Sequence, residues 1–120
     1  MEKYKLGEME QRFANIIWDK APIKTRELIE ICTEEFEWKR TTTYTMLKRL
    51  CEREIFKNDN GTVVVLIKKE DFLAEKGEDF LEKSFGGSLP RFLTAFTRRK
   101  KLSKKEIDEI QQLIDEYREG

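Results

Sequence analysis

The chain has 120 residues, 38% apolar and 40% charged, with 24 basic residues, 24 acidic residues and no histidine. That length suits one domain, or a small domain with an oligomerisation arm, and eight phenylalanines argue against wholesale disorder. Zero net charge gives no global case for a polyanionic partner, the N-terminal "MEKYKLGEMEQ" has no apolar signal segment, and no apolar run approaches the ~18 residues of a membrane span, so a cytoplasmic protein without direct membrane insertion is expected.

The first helix is predicted over Gly7–Asp19, with Met9, Phe13, Ile16 and Ile17 on one face. Pro22 ends it by restricting the residue before it. A second helix begins near Thr25, read as its cap, and buries Leu28, Ile31, Cys32 and Phe36. Trp38 anchors the connection to a third helix over Thr41–Arg53, whose inner face is read as Tyr44, Leu47, Leu50 and Cys51 with Met46 beside them. Two short strands follow, one beginning at Ile55-Phe56 and one over Val63–Ile67, joined by the reverse-turn pair Asn60-Gly61. Three helices and a hairpin make a winged helix-turn-helix, expected over residues 1–68.

Residues 69–120 read as a helical dimerisation arm. A helix over Lys69–Phe85 carries Phe72, Leu73, Phe80 and Leu81 on a broad apolar side, with Gly77 a slight weakness. After "GGS" a short helix carries Leu89, Phe92, Leu93 and Phe96. The last helix opens on Ser103 with Glu106 as capping-box partner, and its face is Ile107, Ile110, Leu113, Ile114 and Tyr117. So short a segment cannot bury all these faces alone, and a second copy of itself is the economical cover, the alternative being that it folds back on the first domain as extra core. The fold class is therefore mainly α with a small β-hairpin: a winged helix-turn-helix plus a C-terminal helical dimerisation arm.

The outer side of the third helix points to double-stranded DNA. Between Lys39 and Arg53 stand five basic residues and one acid, Glu52. Thr42, Thr45 and Arg49 share the open face and are the base-reading candidates. A threonine methyl can touch a thymine methyl, and arginine can pair bidentately with guanine. Lys39, Arg40, Thr41, Lys48, Arg53 and Lys57 are the candidates for backbone phosphates. Asn58, Asn60, Gly61 and Thr62 form the wing, where Asp59 disfavours a close phosphate. A second basic run, Arg98–Lys105, could approach DNA, but it joins two arm helices and reads most plainly as a solvated loop.

Other chemistries lack their residues. Without histidine the commonest general base is absent, and two cysteines 19 positions apart do not make a zinc site. No phosphate-binding glycine loop or nucleophile elbow appears, so no enzyme, cofactor, metal or catalytic residue is expected. Cys32 and Cys51 read as buried free thiols. The rival reading from another class is a winged-helix protein-interaction module without sequence-specific DNA binding.

Four stretches, "LGEMEQRFANIIW", "WKRTTTYTMLKRLCERE", "NGTVVVL" and "GGSLPRFLTAFTRRKKLSKKEIDEIQQLIDE", resemble the BlaI/MecI group of penicillinase and methicillin-resistance repressors. The resemblance implies homodimers formed through the arm and a palindromic operator, an inverted repeat, ahead of resistance genes. It also implies, for antibiotic-responsive members, a membrane sensor that detects β-lactam and proteolysis in the arm that releases DNA. The family's DNA-facing positions fall on Thr42, Thr45 and Arg49. Its Asn-Phe cleavage bond corresponds to Ala95-Phe96, where the asparagine is missing. Glu54 stands where the family often has the glycine of a left-handed helix exit. The cysteine-rich metal motif of the copper-responsive branch has no counterpart after Cys51.

Overall fold

The computed structural model describes residues 6–120; residues 1–5 of the expected winged domain lie outside the described part. The order of elements is α1 (Glu8–Lys20), β1 (Ile23–Lys24), α2 (Thr25–Phe36), α3 (Arg40–Glu52), β2 (Phe56–Asp59), β3 (Thr62–Val65), α4 (Lys69–Phe85), α5 (Leu89–Arg99) and α6 (Lys104–Glu119). This is a winged helix followed by a helical region. By internal contacts the chain divides into two units, Met1–Gly77 and Glu78–Gly120, so the division falls inside α4.

In the first unit α1 starts at Gly7, whose N–H donates to Glu10 Oε1 at 3.1 Å. Glu8 and Glu10 in the first turn complement the helix dipole. Phe13, Ala14 and Ile17 are its buried residues, and Met9, expected on that face, is 37% exposed. Thr25 is the first helical residue of α2 rather than its cap: the cap position is Lys24, with no side-chain capping bond. The Thr25 hydroxyl instead points to the Gly61 carbonyl at 3.4 Å.

The sheet has three strands in the order β1-β3-β2, all antiparallel. The two-residue β1 pairs Ile23 with Val63 and Lys24 with Thr62. It is too short to show any alternation in the sequence. In the hairpin Asp59 faces Thr62, leaving Asn60-Gly61 as a two-residue loop. Both loop residues have positive φ, 53° and 92°, as a primed hairpin turn requires.

The core joins α1, α2, α3 and the sheet through Phe13, Ile17, Leu28, Leu50, Ile55, Phe56 and Val63, all fully buried. Phe72 of α4 is buried with them and stacks on Trp18 at 5.3 Å between ring centroids. The expected dimerisation role of Phe72 is therefore displaced by a core role in the first unit. Trp18 also meets Phe56 edge-on, and its indole N–H donates to the Ile67 carbonyl at 3.0 Å. Trp38 packs on Phe13 and Phe36, the anchoring place expected for it.

The second unit has a different character. Phe80, Phe85, Phe92 and Phe96 form a ring cluster with centroids 5.5–6.1 Å apart. Ser88 caps α5 by accepting from the Arg91 N–H, and Ser103 and Glu106 form the expected capping box of α6. Yet no residue from 78 to 120 is buried. Phe80, Leu89, Ile107, Leu113 and Tyr117 are each at least half exposed. No helix among the described residues is long and apolar enough to cross a membrane.

Candidate nucleic-acid interface

The α3 helix is fixed by Thr43, Met46, Leu47 and Leu50, which are buried at the i, i+3, i+4, i+7 spacing of one helical face. At 100° per residue the direction opposite this face runs through Thr41, Thr45 and Lys48, flanked by Thr42 and Arg49. All five are exposed. The structure thus brings the three base-reading candidates and two of the backbone candidates onto one surface.

The register differs from the sequence reading at two positions, and one is Cys51, read as a buried inner-face thiol but only half-buried. Tyr44, assigned to the inner face, is 39% exposed, and Thr43 takes its place inside. Tyr44 lies at the edge of the outer surface, with the Arg40 guanidinium 5.6 Å from its ring centroid. The signal was present: Thr43, Met46, Leu47 and Leu50 form a narrower helical stripe than Tyr44, Leu47, Leu50 and Cys51, but one member is polar. The buried Thr43 hydroxyl has no partner within hydrogen-bonding geometry, and its influence falls on the nearby Cys32 thiol. Burial raises that thiol to about 11, with the Thr43 contact lowering it in part. Burial likewise raises Cys51, against the opposing effect of the Asn58 backbone.

Side-chain geometry on the outer face is partly committed. The Thr45 hydroxyl donates to the Thr41 carbonyl at 2.9 Å, leaving its oxygen as an acceptor. Arg49 rests one guanidinium nitrogen 3.7 Å from Met46 Sδ, which aligns the side chain along the helix. Lys39 and Arg40 stand exposed at the start of α3. Arg53 does not join them. Its guanidinium lies 3.7 Å from Glu10, and both side chains are more than four-fifths buried. That ion pair ties α3 to α1 and draws Arg53 away from the role of a backbone contact.

The helix exit answers the question raised by Glu54. Glu54 adopts the left-handed conformation, φ 61°, where glycine is at ease. Its N–H donates to the Cys51 carbonyl at 2.9 Å and the Ile55 N–H to the Leu50 carbonyl at 3.2 Å. These two bonds make a Schellman ending, closed by the buried pair Leu50 and Ile55. The exit geometry is kept despite the residue.

The wing presents Lys57, Asn58, Asp59, Asn60 and Gly61 as exposed residues, with Thr62 half-buried in the sheet. The Asn58 side chain accepts from the Gly61 N–H at 3.0 Å, which braces the turn. The Gly61 carbonyl accepts from the Thr25 N–H at 3.0 Å. Lys57 is thus the one cation of the wing, beside the acid Asp59. In the second unit, Ala95 is half-buried and Phe96 is 38% exposed, adjacent within α5. Among the described residues no group of three or more Cys, Asp or Glu side chains is arranged to hold a metal ion.

Comparison with known proteins places this geometry in context. The penicillinase repressor family profile matches residues 6–116. A penicillinase repressor of Bacillus licheniformis is 27% identical over 94% of this chain and 91% of its own length. A penicillinase repressor of Staphylococcus aureus is 26% identical, covering 85% of this chain and 84% of its own length. The methicillin resistance regulatory protein MecI of Staphylococcus aureus is 25% identical over 93% of this chain and 94% of its own length. The match runs through both units, from α1 into the last turns of α6, and on that extent the chain belongs to the penicillinase repressor family of transcriptional repressors.

Proposed function

We propose that the chain is a homodimeric repressor that reads an inverted-repeat DNA operator with α3. The observation that carries this is the outer side of α3. Threonines, Lys48 and Arg49 stand exposed on a helix whose opposite face is locked into a core. Short hydroxyl side chains let a helix approach the major groove, and the cations neutralise phosphates as the helix seats. Arg49 is the base-reading arginine, Thr42 and Thr45 supply hydroxyl and methyl contacts, and Lys39, Arg40 and Lys48 hold the phosphates. Tyr44 lines the edge of the same surface.

Dimerisation rests on the second unit. A 43-residue segment with no buried residue and half-exposed Phe80, Leu89, Ile107 and Leu113 gains stability by pairing with its copy. A two-fold pair would set two α3 helices about one turn of DNA apart. The names of the relatives point to resistance genes as targets. Release would follow from cleavage of α5 at Ala95-Phe96 by a protease coupled to a membrane sensor. A cut there would sever the chain between Phe92 and Phe96, whose rings pack 5.6 Å apart.

The test selects a binding sequence from a randomised duplex pool and follows affinity by fluorescence anisotropy. Selection should return an inverted repeat bound by one dimer. Arg49→Ala should lose roughly 1–3 kcal/mol, about 5- to 150-fold, on the selected site and little on scrambled DNA. Equal loss on both would make Arg49 a phosphate contact. Recovery of no enriched sequence and no binding at low salt would reject the reading in favour of a protein-interaction module.

A further inference from the structure

We infer that the arm carries a second DNA-binding surface, the cationic strip running from Arg91 on α5 through the connection to Lys105 on α6, which holds duplex phosphates independently of α3. The inference rests on the DNA-reading proposal above. Between Glu82 and Glu106 the sequence contains no acid, although 40% of the chain is charged with equal signs. Lys83 at the start of this span pairs with Asp79 at 3.0 Å. Beyond it stand Arg91, Arg98, Arg99, Lys100, Lys101, Lys104 and Lys105, all exposed.

On α5 the fold turns two of these charges, Arg91 and Arg98, away from the ring cluster. Phe92 of α5 is turned into the ring cluster with Phe80 and Phe85. At 100° per residue Arg91, Thr94 and Arg98 fall on the opposite side of the helix. There, with Phe85, Pro90 and Ala95, they line a shallow groove of ≈ 360 Å³. The remaining cations continue from the last turn of α5 into the first turn of α6. Lys104 and Lys105 sit at the positive end of the α6 dipole, where cations are locally unfavourable and Glu106 is the only acid. Helix stability therefore does not account for them.

A polyanion of extended backbone fits this surface better than the alternatives. Protein interfaces bring an apolar centre with charges at the rim, whereas DNA interfaces are strongly positive and polar. The exposed strip from Arg98 to Lys105 has only the half-buried Leu102 as an apolar member. A helix lying on lipid needs its apolar face free, and in the dimer proposed above the exposed apolar side of α5 goes to the second copy of the arm.

The experiment compares salt slopes on a fluorescein-labelled mixed-sequence duplex of about 40 base pairs, where binding is electrostatic. One full-length variant carries Lys100, Lys101, Lys104 and Lys105 all changed to Gln. A second, of equal net charge, carries Lys20, Lys68, Lys69 and Lys76 changed to Gln. Each phosphate contact contributes about 0.9 to the slope of log affinity against log salt. The arm variant should lose about 1.8 or more, two contacts per dimer, while the control keeps the native slope. The Lys→Arg version of the arm variant should keep it too. Sedimentation checks that all variants share one oligomeric state. Equal slopes for wild type and arm variant, with Arg49→Ala still weakening the selected site, overturn this inference alone. Failure of the wild type to bind any duplex overturns both. Loss of binding to vesicles of about 30% phosphatidylglycerol, with the DNA slope unchanged, assigns the strip to lipid and likewise overturns it.

Discussion

Replacing Glu54 by glycine should stabilise the first unit by about 0.5–1 kcal/mol. Glu54 ends α3 at φ 61°, a conformation that costs an L-residue roughly 1–2 kcal/mol. Glycine removes that cost but loses about 0.5–1 kcal/mol more backbone freedom on folding. Among the described residues the Glu54 side chain makes no hydrogen bond or ion pair that would be forfeited. Its carboxylate also sits beside the negative end of the α3 dipole, which adds a few tenths of a kcal/mol to the gain. Glu54→Ala separates the two effects, because alanine removes the charge and keeps the backbone cost. Urea unfolding at one fixed chain concentration should show the midpoint order Gly above Ala, with similar slopes. In thermal melts the glycine gain amounts to about 2–6 °C. A glycine variant no more stable than the alanine variant would refute the claim that the left-handed exit is strained.

Phe72→Ala should destabilise the first unit by about 3–5 kcal/mol, because it empties a fully buried ring site against Trp18. Phe80→Ala, at a half-exposed position, should leave that unit's urea midpoint nearly unchanged and weaken dimerisation by sedimentation instead. The Ser103 backbone N–H, then its hydroxyl, and the nearby Lys100 hold the Glu106 carboxyl below its ordinary 4.5. A lowered carboxylate stabilises the folded form above its ordinary value, and that contribution disappears as pH falls through the lower folded value. The stability difference between wild type and Glu106→Gln, followed by circular dichroism, should thus persist at neutral pH and close below about pH 4.5. Cys32, raised to about 11 by burial, should resist alkylation at pH 8 in the folded protein and react fully in urea, as mass spectrometry of the labelled chain would show.

The elements that the sequence announced most clearly were those with a strong period or a strong cap. The α4 span matched its residues, Asn60-Gly61 formed the hairpin loop, and Ser103 with Glu106 capped α6. What stayed hidden depended on pairing across long separations. β1 is two residues whose strand character comes only from β3 beside it. Arg53 looked like another cation of α3 until Glu10, more than forty positions earlier, was found next to it. Phe72 belonged by position to the arm and by packing to the first core, which no helical periodicity can decide. Thr43 and Tyr44 exchanged sides because hydrophobicity ranks a tyrosine above a threonine, while the helix phase set by Met46, Leu47 and Leu50 ranks them the other way. The candidate site itself was legible because exposed side chains on a single helix need only the right phase.

The bond from the Thr25 amide to the Gly61 carbonyl makes the start of one helix a tenant of the hairpin loop. Insertion of residues at Asn60-Gly61 would move that carbonyl and leave the first turn of α2 without its acceptor. Loop length is thereby coupled to helix initiation, and this chain has little freedom to lengthen its wing. The outer face of α3 carries no such obligation to its neighbours. If α3 reads DNA as proposed, substitutions at Thr42 and Thr45 should change sequence preference without loosening the scaffold.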